Sequence, residues 1–283
     1  SLAHALNQRS PLVVAVSGGV DSLTLAWSAA TLLGPSVRVV HAAGPAVPPL
    51  ATERVKAYAR RWGWDLQVLN AGEYQDPEYR KNPVNRCYYC KSNLYQRIRE
   101  SCDTPAFVAA GTNLDDLGEY RPGLLAADEQ QVIHPFVDAA MAKSAVRELA
   151  AAAGLDDIAQ LPAQPCLASR VETGISIKAE DLTFIDQIEQ LSATRLNVGD
   201  IRCRVTRQGV WLEADPGVNE RAALIAHVRQ ACEESGRVFA GIRPYRRGSA
   251  FLTTAADEQV IRLRRNSQSK SDNPVSQIRR STS

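Results

Sequence analysis

No apolar run in the 283-residue chain approaches the roughly 20 residues that a bilayer span requires, and the first residues lack a secretion-signal pattern. The cytoplasm is the expected compartment. Neither sign of charge is in excess: 33 Lys and Arg face 31 Asp and Glu, leaving +2. That balance argues against a protein that coats nucleic acid, and it leaves a small acidic substrate open. No internal repeat is present, which excludes solenoids and propellers. Six cysteines are too few, in a chain of this length, to read as a disulfide scaffold.

What is present first is alternation. Short β-branched or apolar runs fall at 12–16, 37–42, 65–70, 106–111 and 131–136. Helical periods fall between them, at 22–33, 50–62, about 88–100 and 142–153. This pattern predicts an α/β fold, a parallel sheet with helices on both faces, over residues 1–160. Residues 161–177 hold two prolines and Cys166, and read as a loop between domains. A smaller α+β unit is expected over 178–264: a helix, the hairpin "DIRCRVTRQGVWLEA", a second helix and a strand pair. Residues 265–283 are polar, basic and poor in aliphatics, the composition of a disordered tail.

The stretch "VSGGVDSL" (16–23) follows the first run and opens the first helix. Gly18 and Gly19 permit close backbone approach, so N–H groups can surround an anion at a helix N-terminus. Ser17 and Ser22 add hydroxyls, the helix dipole begins near Asp21–Ser22, Val20 counts with the turn among the nucleotide contacts, and Asp21 can engage magnesium or orient an amide. The stretch is neither G-x-G-x-x-G nor a P-loop with its lysine, so a different nucleotide geometry is implied. It resembles the PP-loop of ATP pyrophosphatases, which cleave ATP between the α- and β-phosphates. His41, at the second strand end, is either a packed histidine or near adenine. "GTNLDD" (111–116) supplies Gly111, Asn113, Asp115 and Asp116, the aspartates either capping a turn or orienting magnesium.

"NRCYYC" presents Cys87 and Cys90 as C-x-x-C opening a helix, and "PCLASR" presents Cys166. Neither a second C-x-x-C nor a nearby histidine pair completes a zinc site. Three thiolates with one ligand missing suit a 4Fe–4S cluster whose open iron binds an exogenous sulfide. Arg86, Lys91 and the helix N-terminus are expected to keep these thiols charged. Cys102, Cys203 and Cys232 sit in apolar patterns and read as core residues.

In this order, "SGGVDS", "NRCYYCKSNLY", "GTNLDDLGEYRPG", "PCLASRVETG" and "YRRGS" resemble the LarE family, over about residues 8–255. These are ATP-dependent sulfurtransferases of nickel-pincer nucleotide synthesis. The resemblance implies ATP and Mg2+ as cofactors and adenylation of a carboxylate of pyridinium-3,5-biscarboxylic acid mononucleotide. Sulfur then replaces AMP. It implies two alternative sulfur sources: a 4Fe–4S cluster on Cys87, Cys90 and Cys166, the favoured reading, or sacrifice of the Cys166 sulfur itself. It also implies a homo-oligomer, with an external sulfur donor for the cluster route. Arg170 and Ser169 are expected at the acceptor, with Arg202, Arg204, Arg246 and Ser249 as further substrate contacts. Arg121 is either structural or close to the nucleotide. One departure stands out: the acidic residue that this family usually carries before "YRxGS" is Gly241 here, with Arg243 two residues on. A cluster-dependent tRNA thiolation enzyme, an ammonia-using ligase of the NAD synthase kind and a non-catalytic nucleotide-binding scaffold remain the competing readings.

Overall fold

The computed structural model describes residues 1–118, 121–195, 201–214 and 221–244. Arg246, Ser249, the second strand of the expected C-terminal pair and the tail lie outside them.

The first apolar run is strand β1 (Leu12–Val16), and it lies inside a parallel sheet. It pairs with β2 (Val37–Ala42) on one side and β4 (Phe107–Ala110) on the other, while β3 (Asp65–Leu69) pairs outside β2. A central parallel strand is covered on both faces, so it must be apolar on both. Leu12, Val14 and Val16 pack with Leu23 and Ala26 of α1 (Val20–Leu33), Val55 of α2 (Pro49–Trp62) and Val146 of α5 (Lys143–Ala152). Val13 and Ala15 face the other way, towards Leu94, Tyr95 and Ile98 of α3 (Arg86–Glu100) and Ala127 of α4 (Pro122–Glu129).

The run at 131–136 departs from expectation. It makes one parallel bridge, Ile133 to Ala109, and no strand. Gln131 adopts a left-handed φ of 51°, and Pro135, which has no N–H to donate, starts a helical turn over Pro135–Asp138. Both ends of the run are therefore closed to sheet pairing.

The chain visits β2 and β3 on one side of β1 before crossing to β4 on the other. The sheet order thus reverses between β1 and β4, where open α/β sheets place their ligands. The glycine turn leaves one of these two strand ends and Gly111 leaves the other.

A second sheet has β6 (Gly209–Ala214) at its centre, antiparallel to β5 (Arg202–Thr206) and parallel to β7 (Phe239–Pro244). It packs with α6 (Ala179–Arg195) and α7 (Arg221–Glu234) through Leu182, Ile185, Ile188, Leu224 and Val228. Cys203 and Cys232 are buried in this core, whereas Cys102 is a half-buried neighbour of the first sheet's core. Ala46 and Tyr79, from the N-terminal half, and Leu167 and Ala168, next to Cys166, also belong to it. No helix among the described residues is long and apolar enough to cross a membrane.

Candidate functional site

Gly18 has a φ of +85°, and a Cβ there would lie 2.8 Å from the Ala51 carbonyl oxygen on α2. Only glycine fits both conditions. Gly19 is the N-cap of α1 and has extended backbone. The Ser22 hydroxyl accepts from the Ser17 N–H at 3.1 Å and donates to the Gly19 carbonyl at 3.1 Å. Ser22 therefore braces the turn from within, while Ser17 is exposed. Gly111 completes the approach from β4: a Cβ there would sit 2.9 Å from both the Asp21 carbonyl carbon and the Ser22 nitrogen.

Asp21 occupies the first turn of α1, where the helix dipole favours an anion. Its Oδ1 accepts from Asn113 Nδ2 at 3.2 Å, and its Oδ2 pairs with the Lys143 ammonium. Asn113 is buried and caps the turn over Leu114–Leu117 in a capping box with Asp116. Asp116 pairs with Arg121 at 2.7 Å, and the Asp115 carboxylate accepts from the Lys143 backbone N–H at 3.2 Å. Lys143 is a component that the sequence reading missed. Its signal was a cation in the first turn of a helix, where the dipole disfavours it unless an acid stands opposite.

His41 is buried, with Nδ1 2.9 Å from the Val16 carbonyl and Nε2 2.9 Å from the Thr52 hydroxyl. It joins the end of β1 to α2. Burial lowers its pKa below the usual 6.5, against the weaker opposing effect of the Val16 bond. The native imidazole thus stays neutral while the unfolded chain's imidazole takes up a proton below pH 6.5, and the native state loses stability on acidification. Urea unfolding is expected to give a lower midpoint at pH 5.5 than at pH 7.5, and His41→Gln should reduce that difference.

Around the cysteines, Asn82 sets the frame. It is fully buried with a φ of 53°; Nδ2 donates to the Glu172 carbonyl at 2.9 Å and Oδ1 accepts from Arg86 Nη1 at 2.8 Å. The start of α3, which carries Cys87 and Cys90, is thereby tied to the segment just after Cys166. The three thiols are partly buried and unbridged, and Cys87 and Cys90 each feel the charge of Cys166. Burial chiefly raises the Cys87 pKa, with Cys166 adding to it. Burial also dominates for Cys90, with Cys166, Cys87 and Glu73 adding to the rise. Arg86, Lys91 and Arg121 pull the Cys87 pKa down, and Lys91 that of Cys90, but burial outweighs them. Arg86 and Lys91 thus act on the thiols in the expected direction, while burial favours the protonated form of the free Cys87 and Cys90 thiols. Glu73 Oε2 and Tyr79 Oη are buried beside them with no hydrogen-bond partner. Among the described residues, no three His, Cys, Asp or Glu side chains are placed to hold a single metal ion.

Cys166 precedes a buried turn over Leu167–Arg170, pinned by the Leu167 N–H donating to the Ala46 carbonyl at 2.8 Å. Arg170 is 4% exposed, and its guanidinium grips Glu189 of α6 through Nε at 3.0 Å and Nη2 at 2.9 Å. Its Nη1 donates to the Pro165 carbonyl at 2.8 Å and to the Ser169 hydroxyl at 2.9 Å. Arg170 and Ser169 thus hold the Cys166 segment in shape. Arg204 is buried, donating to Glu213 at 2.9 Å and to the Ser169 carbonyl at 2.8 Å, and Arg202 donates to the Ile201 carbonyl at 2.9 Å. Glu213 also takes Arg243 at 2.8 Å, so one buried carboxylate serves two arginines. The sequence reading missed Glu189 and Glu213, since nothing local marks a buried acid within an amphipathic helix or strand.

The glycine turn and the cysteines are linked from two sides. Arg121 pairs with Asp116 near the turn, and its charge reaches Cys87. Arg54 of α2 donates from Nη1 to the Gly18 carbonyl at 2.8 Å and to Gln164, two residues before Cys166, at 3.1 Å.

Fold and site together define an α/β protein with a braced glycine turn at its sheet's switch point, bridged through Arg54 to the segment that leads to Cys166. The chain belongs to the family of the uncharacterized protein slr1717 of Synechocystis sp., with 34% identity over 206 residues, 72% of this chain and 76% of that protein. It is also similar to the uncharacterized protein MJ0830 of Methanocaldococcus jannaschii, 26% identical over 76% of this chain and 83% of that one. A third relative is the pyridinium-3,5-bisthiocarboxylic acid mononucleotide synthase of Lactiplantibacillus plantarum, 26% identical over 67% of this chain and 70% of that enzyme. No family model matches the chain.

Proposed function

We propose that this protein is an ATP-dependent sulfurtransferase that adenylates a carboxylate of pyridinium-3,5-biscarboxylic acid mononucleotide and replaces AMP with sulfur. One observation carries the reading: Asn82 ties the start of the Cys87/Cys90 helix to the segment after Cys166, and Arg54 bridges the glycine turn to the segment before it. The name of the Lactiplantibacillus relative, a pyridinium-3,5-bisthiocarboxylic acid mononucleotide synthase, supports the product class.

A carboxylate is a poor electrophile because oxide is a poor leaving group, and adenylation supplies AMP instead. The α1 N-terminus and the Gly19 turn offer N–H groups and positive potential to the departing pyrophosphate. Asp21, steadied by Asn113 and Lys143, is placed to orient a magnesium-bound triphosphate. The Arg170–Glu189 clamp holds the segment that carries Cys166, the residue that would meet the activated carbonyl.

The donor set fits a 4Fe–4S cluster. Its ligating thiolates each bind a different iron, so they need not meet around one ion, and the nearby Lys91 and Arg86 charges suit an anionic group. Cys87, Cys90 and Cys166 would hold it, and when bound it would supply a transferable sulfide from its open iron. In a second reading Cys166, whose thiol is partly buried and unbridged, gives up its own sulfur.

The test is anaerobic purification, iron and sulfide analysis, and incubation with ATP, Mg2+ and the pyridinium dicarboxylate. Pyrophosphate release with formation of a thiocarboxylate is the expected result. About four irons per chain would support the cluster, whereas iron-free protein that loses one sulfur per turnover would support the sacrificial route. Absence of acceptor-dependent pyrophosphate release would overturn both.

A further inference from the structure

Arg54 is a half-buried cation whose charge no carboxylate meets. Among the described residues it has no ion pair, and only its Nη1 is hydrogen-bonded, to the Gly18 carbonyl and Gln164 Oε1. Asp157, which acts on it from a distance, is engaged by the Tyr58 hydroxyl at 2.5 Å. Burial accordingly lowers the Arg54 pKa below the usual arginine value, with Asp157 opposing more weakly. A cation left in that state gains from any anion that comes near.

The location gives this charge its use. The Gly18–Gly19 peptide is planar and trans, so its carbonyl and its N–H point in opposite directions. By holding the Gly18 carbonyl, Arg54 keeps the Gly19 N–H on the opposite side of the peptide, at the N-cap of α1. The same nitrogen reaches Gln164, an exposed residue of the segment leading to Cys166.

Building on the proposed function, we propose that Arg54 is a positioning residue that sets the glycine turn for a polyphosphate and couples its occupancy to the Cys166 segment. When pyrophosphate or the ATP tail binds, the turn peptide tightens against its new charge. Arg54 shifts its bonding with that peptide, and the Gln164 contact passes the change to residues 164–166.

The probe is inorganic pyrophosphate, with binding measured by calorimetry on the full chain. In parallel, the rate of iodoacetamide modification of Cys166 is followed by peptide mass spectrometry with and without pyrophosphate. Wild-type protein is expected to bind pyrophosphate and to change its Cys166 modification rate on binding. Arg54→Met should weaken binding on the order of tenfold or more, as expected when a charge-assisted contact is removed. Gln164→Leu, on an exposed loop, should bind pyrophosphate as wild type does yet lose its effect on Cys166. Thermal unfolding of both variants reports whether they are folded. Arg54→Met binding within twofold of wild type would overturn the inference, and so would Gln164→Leu retaining the full pyrophosphate effect. A wild-type protein that binds no pyrophosphate would instead remove the reading of the turn on which the inference rests.

Discussion

Cys166→Ala is expected to abolish thiocarboxylate formation, by on the order of 10³-fold or more, as loss of a reacting nucleophile or its essential partner does. Acceptor-dependent pyrophosphate release should survive, because the activation half stands on Gly18, Gly19, Asp21, Asn113 and Lys143, none of which touches Cys166 in the hydrogen-bond network. Folding should also survive. Cys166 is only partly buried, and its segment is held by the Leu167 N–H and the Arg170 guanidinium rather than by the thiol. The paired measurement is pyrophosphate release and thiocarboxylate yield from one reaction mixture. Loss of both together would place Cys166 in activation as well, contrary to the division of labour proposed here. The Cys166→Ser variant sharpens the test, since it keeps the size but not the sulfur.

The second large effect is on stability. Glu213 is 1% exposed and pairs with Arg204, itself buried, and with Arg243. Removing one partner of a buried pair strands the other charge in a medium that solvates it poorly, which typically costs about 3–5 kcal/mol. Glu213→Ala is therefore expected to destabilise the protein by about that amount, read as a lower urea midpoint at unchanged slope. Arg243→Ala should cost much less, because Arg243 is 39% exposed and water takes over its role. If Glu213→Ala proves no worse than Arg243→Ala, the Arg204–Glu213 pair is not the support of the second sheet that its burial implies. Arg204 also holds the Ser169 carbonyl, so the variant should loosen the Cys166 segment as well.

What was legible in the sequence was local. β1, the glycine turn and α1 are contiguous, and an apolar run followed by two glycines carries their geometry within a dozen residues. The turn that "GTNLDD" opens was legible for the same reason as one of two readings of its aspartates, and Asp116 caps it with Asn113, whose part was not foreseen. The run at 131–136 looked equally strand-like, but apolar residues alone do not reveal that Gln131 takes a left-handed φ. The arginines show a different limit. Alternation placed Arg202 and Arg204 on one face of β5, yet it carried no information about Glu213 and Ser169 on other elements. Arg54 and Lys143 were invisible for the same cause, their partners lying 110 and 122 residues away. Convergence of Cys87 and Cys90 with Cys166 depends on Asn82, whose bonds cross 90 residues.

Gly241 has a φ of +137°, and a Cβ there would stand 3.1 Å from the Trp211 ring. Two residues on, Arg243 reaches the Glu213 carboxylate. An acidic residue at this position would force a strained backbone and displace the indole. Room for it would require coordinated replacement of Gly241 and Trp211, so Gly241→Asp alone is expected to destabilise the second sheet.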